Sequence, residues 1–565
     1  MEKSWKLLKN LNPEITKNLA QELNVSNIIA ELLVKRNITN YLEAKLFFRP
    51  RIEDLLDPFL MKGMSSAVNK IIETIESNKK IMIYGDYDVD GTTSVALLYL
   101  YLTKLNADLI YYIPDRYLEG YGLSNQGINK AKEEKVSLII VVDCGIKAND
   151  QIDLANSYNI ESIICDHHYP GINLPKSLSI LNPKQSDCKY PYKELCGCGI
   201  GFKLIQAIEQ KKGKGLDSII EFLDLVTIAI CADVVPMTGE NRVLASLGLK
   251  LINKEIRPGL KNFIKNKNNQ INVSDLIFKI APRINAAGRM KHGKHAVELL
   301  ISVNEKYIST KSRTIELLNS ERKLLDGKIT KEALEQIENL LETNSYSTVV
   351  FRPDWHKGVI GIVASRLIEY YYRPTIVLTK SGENYTGSVR SVKGFDVYET
   401  LSKCSAHLIQ YGGHKYAAGL TLNPSKYSDF KTAFEKEVMR TILPEQRIKS
   451  ISYDLETTFN YLTNSVCRIV EQMKPFGPLN MPPLFYIKNC IDSGQTKLVG
   501  ADNNHLKLEV KDETGTTFSG IGFEMGKYIS KIKMKTPFSI IAQVRSNEFM
   551  GRSKFQLNIK DISFK

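Results

Sequence analysis

The chain has 565 residues, of which 43% are hydrophobic and 24% charged, a composition that excludes an intrinsically disordered or collagen-like protein. The length predicts three or four domains. The formal net charge of +14 favours a polyanionic partner such as nucleic acid or a membrane surface, although a lysine-rich protein with solvated faces would show the same excess.

The first 304 residues combine a helical start with an alternating pattern. Residues 1–75 carry apolar residues at helical spacing and are interpreted as an N-terminal helical part of the region that follows. Residues 76–304 alternate helical patterns with short apolar runs, including KKIMIYG, ADLIYYIPD, VSLIIVVD and IESIICD. This alternation predicts an α/β domain with a doubly wound parallel sheet, which would bind ligands beyond the carboxyl ends of its strands.

Three further segments follow. Residues 305–345 are polar, helical in pattern and nearly free of helix breakers, which predicts a long connecting helix. Residues 346–445 begin with a strand, a helix and a strand, typical of a second, smaller α/β domain. Residues 446–565 contain short, evenly spaced strand patterns, which predict a small OB-like β-barrel.

The nine cysteines are scattered and odd in number, which predicts reduced thiols in the cytoplasm rather than a disulfide framework. Cys196 and Cys198, with Cys188 upstream, lack the second ligand pair of a structural zinc site, so we interpret their glycine-rich stretch as tight packing. The N-terminus has no secretory signal pattern, and the apolar runs are shorter than the ~18 residues of a membrane helix. We therefore expect no membrane partner.

The stretch YGDYDVDGTTS, residues 84–94, places Asp86, Asp88 and Asp90 on alternate positions directly after an apolar strand. It is not a Walker A loop, because no Gly-Lys-Ser/Thr follows, and it is not an EF-hand, because Leu97 stands where the final glutamate is needed. A solvated turn would have the same residue types. Carboxylates this close repel one another without a cation, however, and the turn therefore favours metal binding.

Three other apolar elements end in acid or histidine. They lead to Asp143, to Asp166, His167 and His168, and to Asp233. One aspartate after a strand is more often a turn or helix cap, but four elements that all end this way are hard to explain by capping. We interpret the segment before Asp233 as a strand like the others, and we expect all these groups at one edge of the sheet.

Aspartates together with histidine form a hard oxygen and nitrogen ligand set, which suits Mn²⁺ or Mg²⁺ better than a metal that prefers thiolates. There are more carboxylates than one cation needs, and two ions about 3.5–4 Å apart would use them all. Such a pair serves phosphoester hydrolysis. This is the reaction class that the residues themselves indicate.

The order of DYDVDG, VDCG, DHH and ADVVPM resembles the DHH phosphoesterase superfamily. Nearly the whole chain is similar to the bacterial single-strand-specific 5′→3′ DNA exonucleases of that superfamily. The further matching segments are PDRYLEGYGLS (114–124), APRINAAGRM (281–290), WHKGVIGIVASRL (355–367), SVRS (388–391), YGGHKYAAGL (411–420) and MKPFGPLN (473–480). The resemblance implies release of 5′-mononucleotides from single-stranded DNA in repair and recombination, with a single-strand-binding protein and a helicase as partners.

The resemblance also implies roles at the acidic edge. Two Mn²⁺ ions, or Mg²⁺ in their place, would be held by Asp88, Asp90, Asp143, His167 and Asp233. Asp143 would bridge the ions, and Asp86 would be a further ligand or a supporting carboxylate. Asp166 would orient the histidines. His168 would face the phosphate and stabilise or protonate the leaving oxygen.

A second set of residues would contact DNA by the family pattern. They are Gly412, Gly413 and His414, Arg283 and Asn285, Ser388 and Arg390, and Arg116 for the terminal 5′-phosphate. The Gly-Gly-His segment would close over the metal site, with its backbone amides near a phosphate and His414 in a catalytic position. Arginine suits phosphate because of its planar fork, but Arg283 could instead pair with a surface acid. Ser388 and Arg390 share a face of their strand whether or not that face meets DNA.

The C-terminal segment would bind DNA rather than cut it. Residues 446–565 hold 17 lysines and arginines against 11 acidic residues, and Tyr528, Phe549 and Phe555 are interleaved with the cations. Single-strand-binding barrels combine a basic groove with stacking aromatics, although core packing also explains such aromatics.

Three other functions stay open at this stage. A DHH hydrolase of short oligonucleotides or cyclic dinucleotides would use the same metal ligands but would not need a basic barrel. A scaffold protein without activity would lose metal carboxylates, which this chain retains. A non-enzymatic single-strand-binding protein would not depend on Asp143.

Overall fold

The computed structural model describes residues 3–9, 12–264, 270–549 and 552–564. The chain divides into two compact units. The larger unit contains Trp5–Ala281, Leu300–Val303 and Ser452–Lys565, and the smaller unit contains Pro282–Leu299 and Asn304–Ile451 with the N-terminal end. None of the helices in these described ranges is both long enough and apolar enough to cross a membrane.

The first part of the chain alternates helices and strands. Its elements are β1 (Ser4–Leu7), α1 (Pro13–Leu23), α2 (Asn27–Val34), α3 (Tyr41–Phe48), α4 (Met64–Glu76), β2 (Ile81–Gly85), α5 (Val89–Lys104), β3 (Leu109–Tyr112), α6 (Asn125–Glu133), β4 (Leu138–Val142), α7 (Asn149–Ser157), β5 (Glu161–Cys165), β6 (Ser179–Leu181), α8 (Gly197–Lys211), α9 (Leu223–Ala232), α10 (Gly239–Lys254) and α11 (Val273–Asp275). A π-helical turn (Leu276–Ile280) follows α11.

The expected parallel sheet is confirmed. Its five strands are all parallel and run in the order β3-β2-β4-β5-β6. Apolar residues of α6 and α7 share a core with one face of the sheet, while α5 packs against β2 and against α8 and α9. The chain leaves β2 toward one edge and returns to the other side at β4, so the switch point where such sheets bind ligands lies between these two strands.

The segment before Asp233 is a helix and not the strand that the sequence indicated. It forms α9, and Asp233 is the residue at its C-terminal cap. Every residue of Leu223–Cys231 is buried, so the segment shows no helical stripe of polar residues. A short run that is apolar on all sides has no periodicity to separate a buried helix from a buried strand.

The smaller unit is an α/β domain with a mixed sheet. Its elements are α12 (Ala281–Met290), α13 (Lys294–Ile301), α14 (Glu305–Asn339), β7 (Thr348–Phe351), α15 (Ile360–Tyr370), β8 (Thr375–Ser381), β9 (Asn384–Arg390), α16 (Val397–Lys403), β10 (Gln410–His414), β11 (Ala417–Leu422) and α17 (Tyr427–Thr441). The strand order is β10-β11-β9-β8-β7, with only β7 and β8 parallel. The long helix that the sequence predicted over 305–345 is α14.

The last part of the chain is mostly β-structure. Its elements are β12 (Ser450–Tyr453), β13 (Leu455–Glu456), α18 (Asn464–Gln472), β14 (Phe485–Asp492), β15 (Lys497–Val499), β16 (His505–Lys511), β17 (Thr517–Gly522), α19 (Ile529–Lys533), β18 (Phe538–Phe549) and β19 (Arg552–Ser563). The strands pair in the cyclic order β14-β18-β19-β17-β16, and an additional β14–β16 pairing closes the ring. The predicted small OB-like barrel is therefore confirmed, and it has five strands.

The helices α1 to α3 contribute to the core of this barrel. Leu33 and Phe47 lie in the same buried cluster as Phe485 and Ile540. Residues 13–48, which the sequence assigned to the region before the parallel sheet, thus also cover the C-terminal barrel. Packing between segments so distant along the chain leaves no local sequence pattern.

The MKPFGPLN segment joins the barrel to the parallel-sheet part of the larger unit. The Arg242 guanidinium on α10 donates hydrogen bonds to the carbonyls of Met473, Lys474 and Pro475, each at 3.0 Å, and to Phe47 at 2.9 Å. Burial lowers the pKa of Arg242 to about 9. A buried guanidinium needs such acceptors, and here one side chain ties three segments together.

Candidate metal centre

The acidic turn lies at the carboxyl end of β2, beside the end of β4. Asp86 directly follows β2, Asp88 is the N-cap of α5, and Asp90 lies in the first turn of that helix. The Asp88 side chain accepts a hydrogen bond from the Gly91 amide at 3.1 Å. A side chain at Gly91 would collide with the Asp86 carbonyl, so glycine is needed for this tight strand-to-helix turn.

The other predicted ligands converge on the same place. Three groups of potential metal-binding atoms occur here, each within 4.8 Å of one another: Asp86, Asp88 and Asp143; Asp90, His167 and Asp233; and Asp143, His167 and His168. The Nε2 atom of His167 lies 3.2 Å from Oδ1 of Asp143, 3.7 Å from Oδ2 of Asp233 and 3.8 Å from Oδ2 of Asp90. The structure thus brings together all the ligands predicted for this edge.

The backbone is strained at one predicted ligand and directly after another. Asp143 has a φ of 59°, and its amide is held by the Cys165 carbonyl at 2.9 Å. Val234, directly after Asp233, has a φ of 59° although its side chain is branched at Cβ and exposed. Left-handed backbone at non-glycine residues costs on the order of 1–3 kcal/mol and tends to cluster at functional sites.

The glycine-rich stretch around Cys196 and Cys198 has a specific task at this site. It starts helix α8, and the amides of Gly197 and Cys198 donate to the two carboxylate oxygens of Asp90 at 2.6 and 2.7 Å. A Cβ atom at Gly197 would lie 2.7 Å from the Cβ atom of Asp143. The predicted tight packing is therefore found, but the sequence did not reveal that the helix N-terminus holds the carboxylate of a predicted metal ligand.

Asp166, predicted to orient both histidines, contacts one of them, His168. Its Oδ1 atom lies 2.7 Å from Nδ1 of His168, and its Oδ2 atom accepts from the Ile146 amide at 2.9 Å. The Tyr121 hydroxyl, which the sequence did not single out, lies 3.2 Å from Nε2 of His168 and 3.2 Å from the Asp143 carbonyl oxygen. His168 is therefore held from both ring nitrogens.

Burial and mutual repulsion raise the pKa of four carboxylates at this site. Burial, with the charges of Asp90 and Asp88, raises the pKa of Asp143 well above its usual value. Burial raises the pKa of Asp233 to about 9 and that of Asp90 to about 6, again with help from neighbouring acids. Burial and Asp88 likewise raise the pKa of Asp86 well above the usual range. A bound cation would reverse these shifts, because it favours the ionised form.

The pKa values of the two histidines are shifted in opposite directions. Burial lowers the pKa of His167 to about 3, so its imidazole is neutral, which is the form that binds metal. Burial also disfavours the charged form of His168, but the hydrogen bond to Asp166 and the charges of Asp166, Asp90 and Asp88 together outweigh this effect and raise its pKa. Despite burial, the same contact lowers the pKa of Asp166. His168 can therefore carry a proton beside the metal ligands.

Two buried atoms of the cluster have no hydrogen-bond partner among the described residues. They are Oδ1 of Asp86 and Nε2 of His167. Buried polar atoms without a partner are rare in folded proteins and call for an explanation, such as an ion. Both atoms are lone-pair donors at a site rich in carboxylates. The residues therefore fit divalent cations with oxygen and nitrogen ligands.

Arg116 lies beside the acidic turn. Its guanidinium carbon is 4.8 Å from the centre of the Tyr87 ring, and its charge opposes the raised pKa of Asp86, for which burial and Asp88 are the larger causes. Arg116 is half-buried. The predicted phosphate ligand is thus within the electrostatic range of the metal cluster.

Four predicted DNA contacts share one face of the sheet in the smaller unit. Through β11, Ser388 is aligned with Gly412, and Arg390 is aligned with His414. Nη1 of Arg390 donates to the Ser388 hydroxyl at 3.2 Å. Gly413 lies between Gly412 and His414 on β10, so a side chain there would be on the opposite face of the sheet. Such a side chain would collide with the Ala417 carbonyl.

Arg283 and Asn285 lie on α12 and are not part of that sheet face. Nε and Nη2 of Arg283 donate to the two carboxylate oxygens of Glu316 at 2.5 and 3.0 Å. Arg283 thus pairs with an acidic residue in the structure, which is the alternative to phosphate binding that the sequence left open. Asn285 is half-buried on the same helix.

The barrel has a groove with a volume of about 530 Å³. Its lining includes Lys507, Arg545, His505 and the exposed ring of Phe523. Of the predicted stacking aromatics, Tyr528 and Phe555 pack against the barrel core instead, and the side chain of Phe549 lies outside the described part. Because core and groove aromatics occur in similar strand patterns, the sequence did not identify Phe523.

Known proteins are similar to this chain in domain architecture and in sequence. The model of the DHH family N-terminal domain matches residues 80–230, that of the DHHA1 domain matches 344–440, and that of the RecJ OB domain matches 453–561. The single-stranded-DNA-specific exonuclease RecJ of Bacillus subtilis (strain 168) is 38% identical over 550 residues, which are 96% of this chain and 69% of the relative. RecJ of Escherichia coli (strain K12) is 31% identical, covering 89% and 90% of the two chains.

A solved structure is similar over almost the whole chain. It is the crystal structure of RecJ in complex with Mn²⁺ from Thermus thermophilus, with a TM-score of 0.85 and 25% sequence identity. The match covers 99% of this chain and 79% of that one.

Proposed function

This chain belongs to the RecJ family, and we infer that it is a single-stranded-DNA-specific exonuclease that hydrolyses phosphodiester bonds with divalent metal ions. We further propose that it works in the 5′→3′ direction, releases 5′-mononucleotides, and serves DNA repair and recombination.

One observation carries the chemical part of this proposal. Side chains from four separate elements surround a site in which Oδ1 of Asp86 and Nε2 of His167 have no partner among the described residues. The burial of so many carboxylates is unfavourable unless cations neutralise them. The site is therefore built for ions, and phosphodiester hydrolysis is the reaction that paired divalent ions serve best.

Two ions, with Mn²⁺ preferred over Mg²⁺, would be held by Asp86, Asp88, Asp90, Asp143, His167 and Asp233. When bound, they lower the pKa of a water molecule and stabilise negative charge on the phosphoryl group. Helix α8 keeps the Asp90 carboxylate in place through two amides. His167 stays neutral and donates a lone pair, because burial lowers its pKa.

His168 is the proposed proton donor for the leaving oxygen. Burial lowers the pKa of His168, but the hydrogen bond to Asp166 at Nδ1 and the charges of Asp166, Asp90 and Asp88 together raise it, which favours the protonated imidazole. The Tyr121 hydroxyl fixes the other side of the ring. Because Asp166 engages Nδ1, the proton for the leaving oxygen would come from Nε2, the ring nitrogen beside the Tyr121 hydroxyl.

Arg116, Ser388 and Arg390 are proposed to bind phosphates of the substrate, with Arg116 at the 5′ end. Gly412 and His414 share the sheet face of Ser388 and Arg390, which supports their joint role. Arg283 would exchange its pairing with Glu316 for a phosphate, with Asn285 beside it. The groove of the barrel would hold the single-stranded tail on Lys507, Arg545 and Phe523.

A cytoplasmic location is proposed because all nine cysteines are free thiols in the structure. A single-strand-binding protein and a helicase are proposed as the proteins that present the substrate.

The function is tested by digesting DNA labelled at either end, single-stranded or duplex, with Mn²⁺, Mg²⁺ or a chelator. We expect the 5′ label to be released first, only from unpaired DNA and only with metal, and we expect Asp143→Asn to abolish release. Release from the 3′ end or from internal cuts would contradict the polarity. A preference for dinucleotides or cyclic dinucleotides over long strands would favour the small-substrate DHH hydrolase.

A further inference from the structure

The loop between β3 and α6 carries two groups of the active site. Arg116 lies over the Tyr87 ring, and the Tyr121 hydroxyl contacts His168 and the Asp143 carbonyl oxygen. Neither residue belongs to a helix or a strand. Something else in the structure must therefore fix the positions of these two side chains.

The carboxylate of Glu119, in the middle of this loop, accepts three hydrogen bonds. Its Oε1 atom accepts from the Asp115 amide at 2.7 Å. Its Oε2 atom accepts from the Tyr112 hydroxyl at 2.9 Å and from the Ser124 hydroxyl at 2.5 Å. One side chain thus joins the start of the loop, the last residue of β3 and the N-cap of α6.

These partners are themselves held by rigid elements. Tyr112 stacks on Tyr84 of β2, with ring centres 5.3 Å apart. The buried Tyr84 hydroxyl accepts from the Ser124 amide at 3.1 Å and donates to the Gly122 carbonyl at 2.9 Å. Through Tyr112 and Ser124, Glu119 therefore connects the loop to β2, the strand that immediately precedes the acidic turn.

The spacing around Glu119 links this network to the active site. Asp115, whose amide Glu119 holds, directly precedes Arg116, and Oδ1 of Asp115 accepts from the Tyr117 amide at 2.8 Å. Both backbone neighbours of Arg116 are therefore fixed. On the other side, the anchored Gly122 and Ser124 follow Tyr121. Hydrogen bonds to a carboxylate are stronger than those between neutral groups, so the bonds to Glu119 hold the loop backbone firmly in place.

We propose that Glu119 is a positioning residue that sets Arg116 for recognition of the terminal 5′-phosphate, and Tyr121 for the support of His168. This inference rests on the proposed function, because it assigns the 5′ end to Arg116. Glu119 does not touch the substrate. It acts by keeping the loop in the one conformation that presents both side chains to the metal site.

The test compares Glu119→Gln with Glu134→Gln, a control at the end of α6 whose carboxylate pairs with Lys130 and does not contact the loop. Glutamine has nearly the same size but only one acceptor oxygen, so at least one donor loses its partner. Activity is measured on the same single strand with a 5′-phosphate or a 5′-hydroxyl. The affinity for Mn²⁺ is followed by the metal-induced rise in melting temperature.

We expect wild type and Glu134→Gln to prefer the 5′-phosphate, and Glu119→Gln to lose about tenfold of this preference in kcat/KM, about the value of one charge-assisted hydrogen bond. The response to Mn²⁺ stays unchanged. In an Arg116→Ala background, Glu119→Gln has no further effect on the preference. Tyr112→Phe, which removes a single donor, shifts the preference in the same direction and serves if Glu119→Gln does not fold.

One result would overturn the inference alone: an unchanged phosphate preference in Glu119→Gln and Tyr112→Phe, even if activity falls equally on both substrates and the melting temperature is lower. If wild type shows no preference for the 5′-phosphate, the role of Arg116 in the proposed function fails as well.

Discussion

Oδ1 of Asp143 and Nε2 of His167 lie 3.2 Å apart, although the two residues follow different strands of the parallel sheet. Burial and neighbouring acids raise the pKa of this aspartate well above its usual value, while burial lowers the pKa of the histidine to about 3. The pair is therefore not a stable ion pair. It is an arrangement of two lone-pair donors directed at one point, as a metal ion requires.

The contact between Gly197 and Asp143 can be tested with two alanine substitutions in α8. We expect Gly197→Ala to weaken Mn²⁺ binding and reduce activity at least tenfold, because a Cβ atom would lie 2.7 Å from the Asp143 Cβ atom and displace the carboxylate. Gly201→Ala is the control, since its Cβ atom would meet only ordinary contacts at 3.7 Å. Equal activity of the two variants, measured by Mn²⁺ titration, would contradict the role of Gly197.

The site could be predicted where backbone geometry alone brings residues together. Asp86, Asp143 and His167 follow adjacent parallel strands, whose ends must meet at one edge. Asp233 was also predicted as a ligand, but on a strand, because a fully buried helix such as α9 lacks a polar face.

Other features left no signal in the sequence. The amides of Gly197 and Cys198 hold Asp90 through the backbone, which has the same donors at almost every position. The contribution of Leu33 to the barrel core depends on contacts between distant segments. Such features follow from tertiary packing and appear only in the structure.

The metal-free protein is expected to lose stability as the pH rises from about 4 to 9. The folded-state pKa of Asp233 is about 9, raised by burial, whereas an unfolded aspartate titrates near 4. In this window the folded chain binds more protons than the unfolded chain, so its stability falls with increasing pH. Mn²⁺ removes the need for those protons. The rise in melting temperature caused by Mn²⁺, relative to a chelator, should therefore grow with pH, and a rise that shrinks across this window would contradict the assignment.

Val234→Gly should stabilise the metal-free protein. The φ of 59° strains a β-branched residue but not glycine, and the exposed side chain loses little burial. The relief of strain stabilises the folded state, and the greater conformational freedom of glycine in the unfolded chain offsets part of this gain. We expect the free energy of unfolding to rise by about 1 kcal/mol. Val303→Gly is the control, because Val303 is also exposed but has no positive φ, and this change should destabilise. Thermal unfolding in the presence of a chelator gives the melting temperatures of both variants. A lower melting temperature for Val234→Gly than for wild type would contradict the claim that the backbone at Val234 is strained.

Lys507→Ala in the barrel groove should weaken binding of long single strands without changing kcat on substrates too short to reach the barrel. Loss of one phosphate contact lowers the slope of log affinity against log salt by about one. Lys488→Ala, on the same barrel, is the control because Lys488 pairs with Glu456. Fluorescence anisotropy at several salt concentrations gives both slopes. The same slope for both variants would show that the groove does not hold the backbone.

The central claim is that this cluster of carboxylates and imidazole binds a pair of divalent cations for DNA cleavage. Anomalous diffraction from crystals soaked in Mn²⁺ tests it most directly. We expect two peaks per chain, both within coordination distance of Asp143, with His167 on one of them. A map without a peak at this cluster, or with the carboxylates of Asp88, Asp143 and Asp233 turned apart, would contradict the claim.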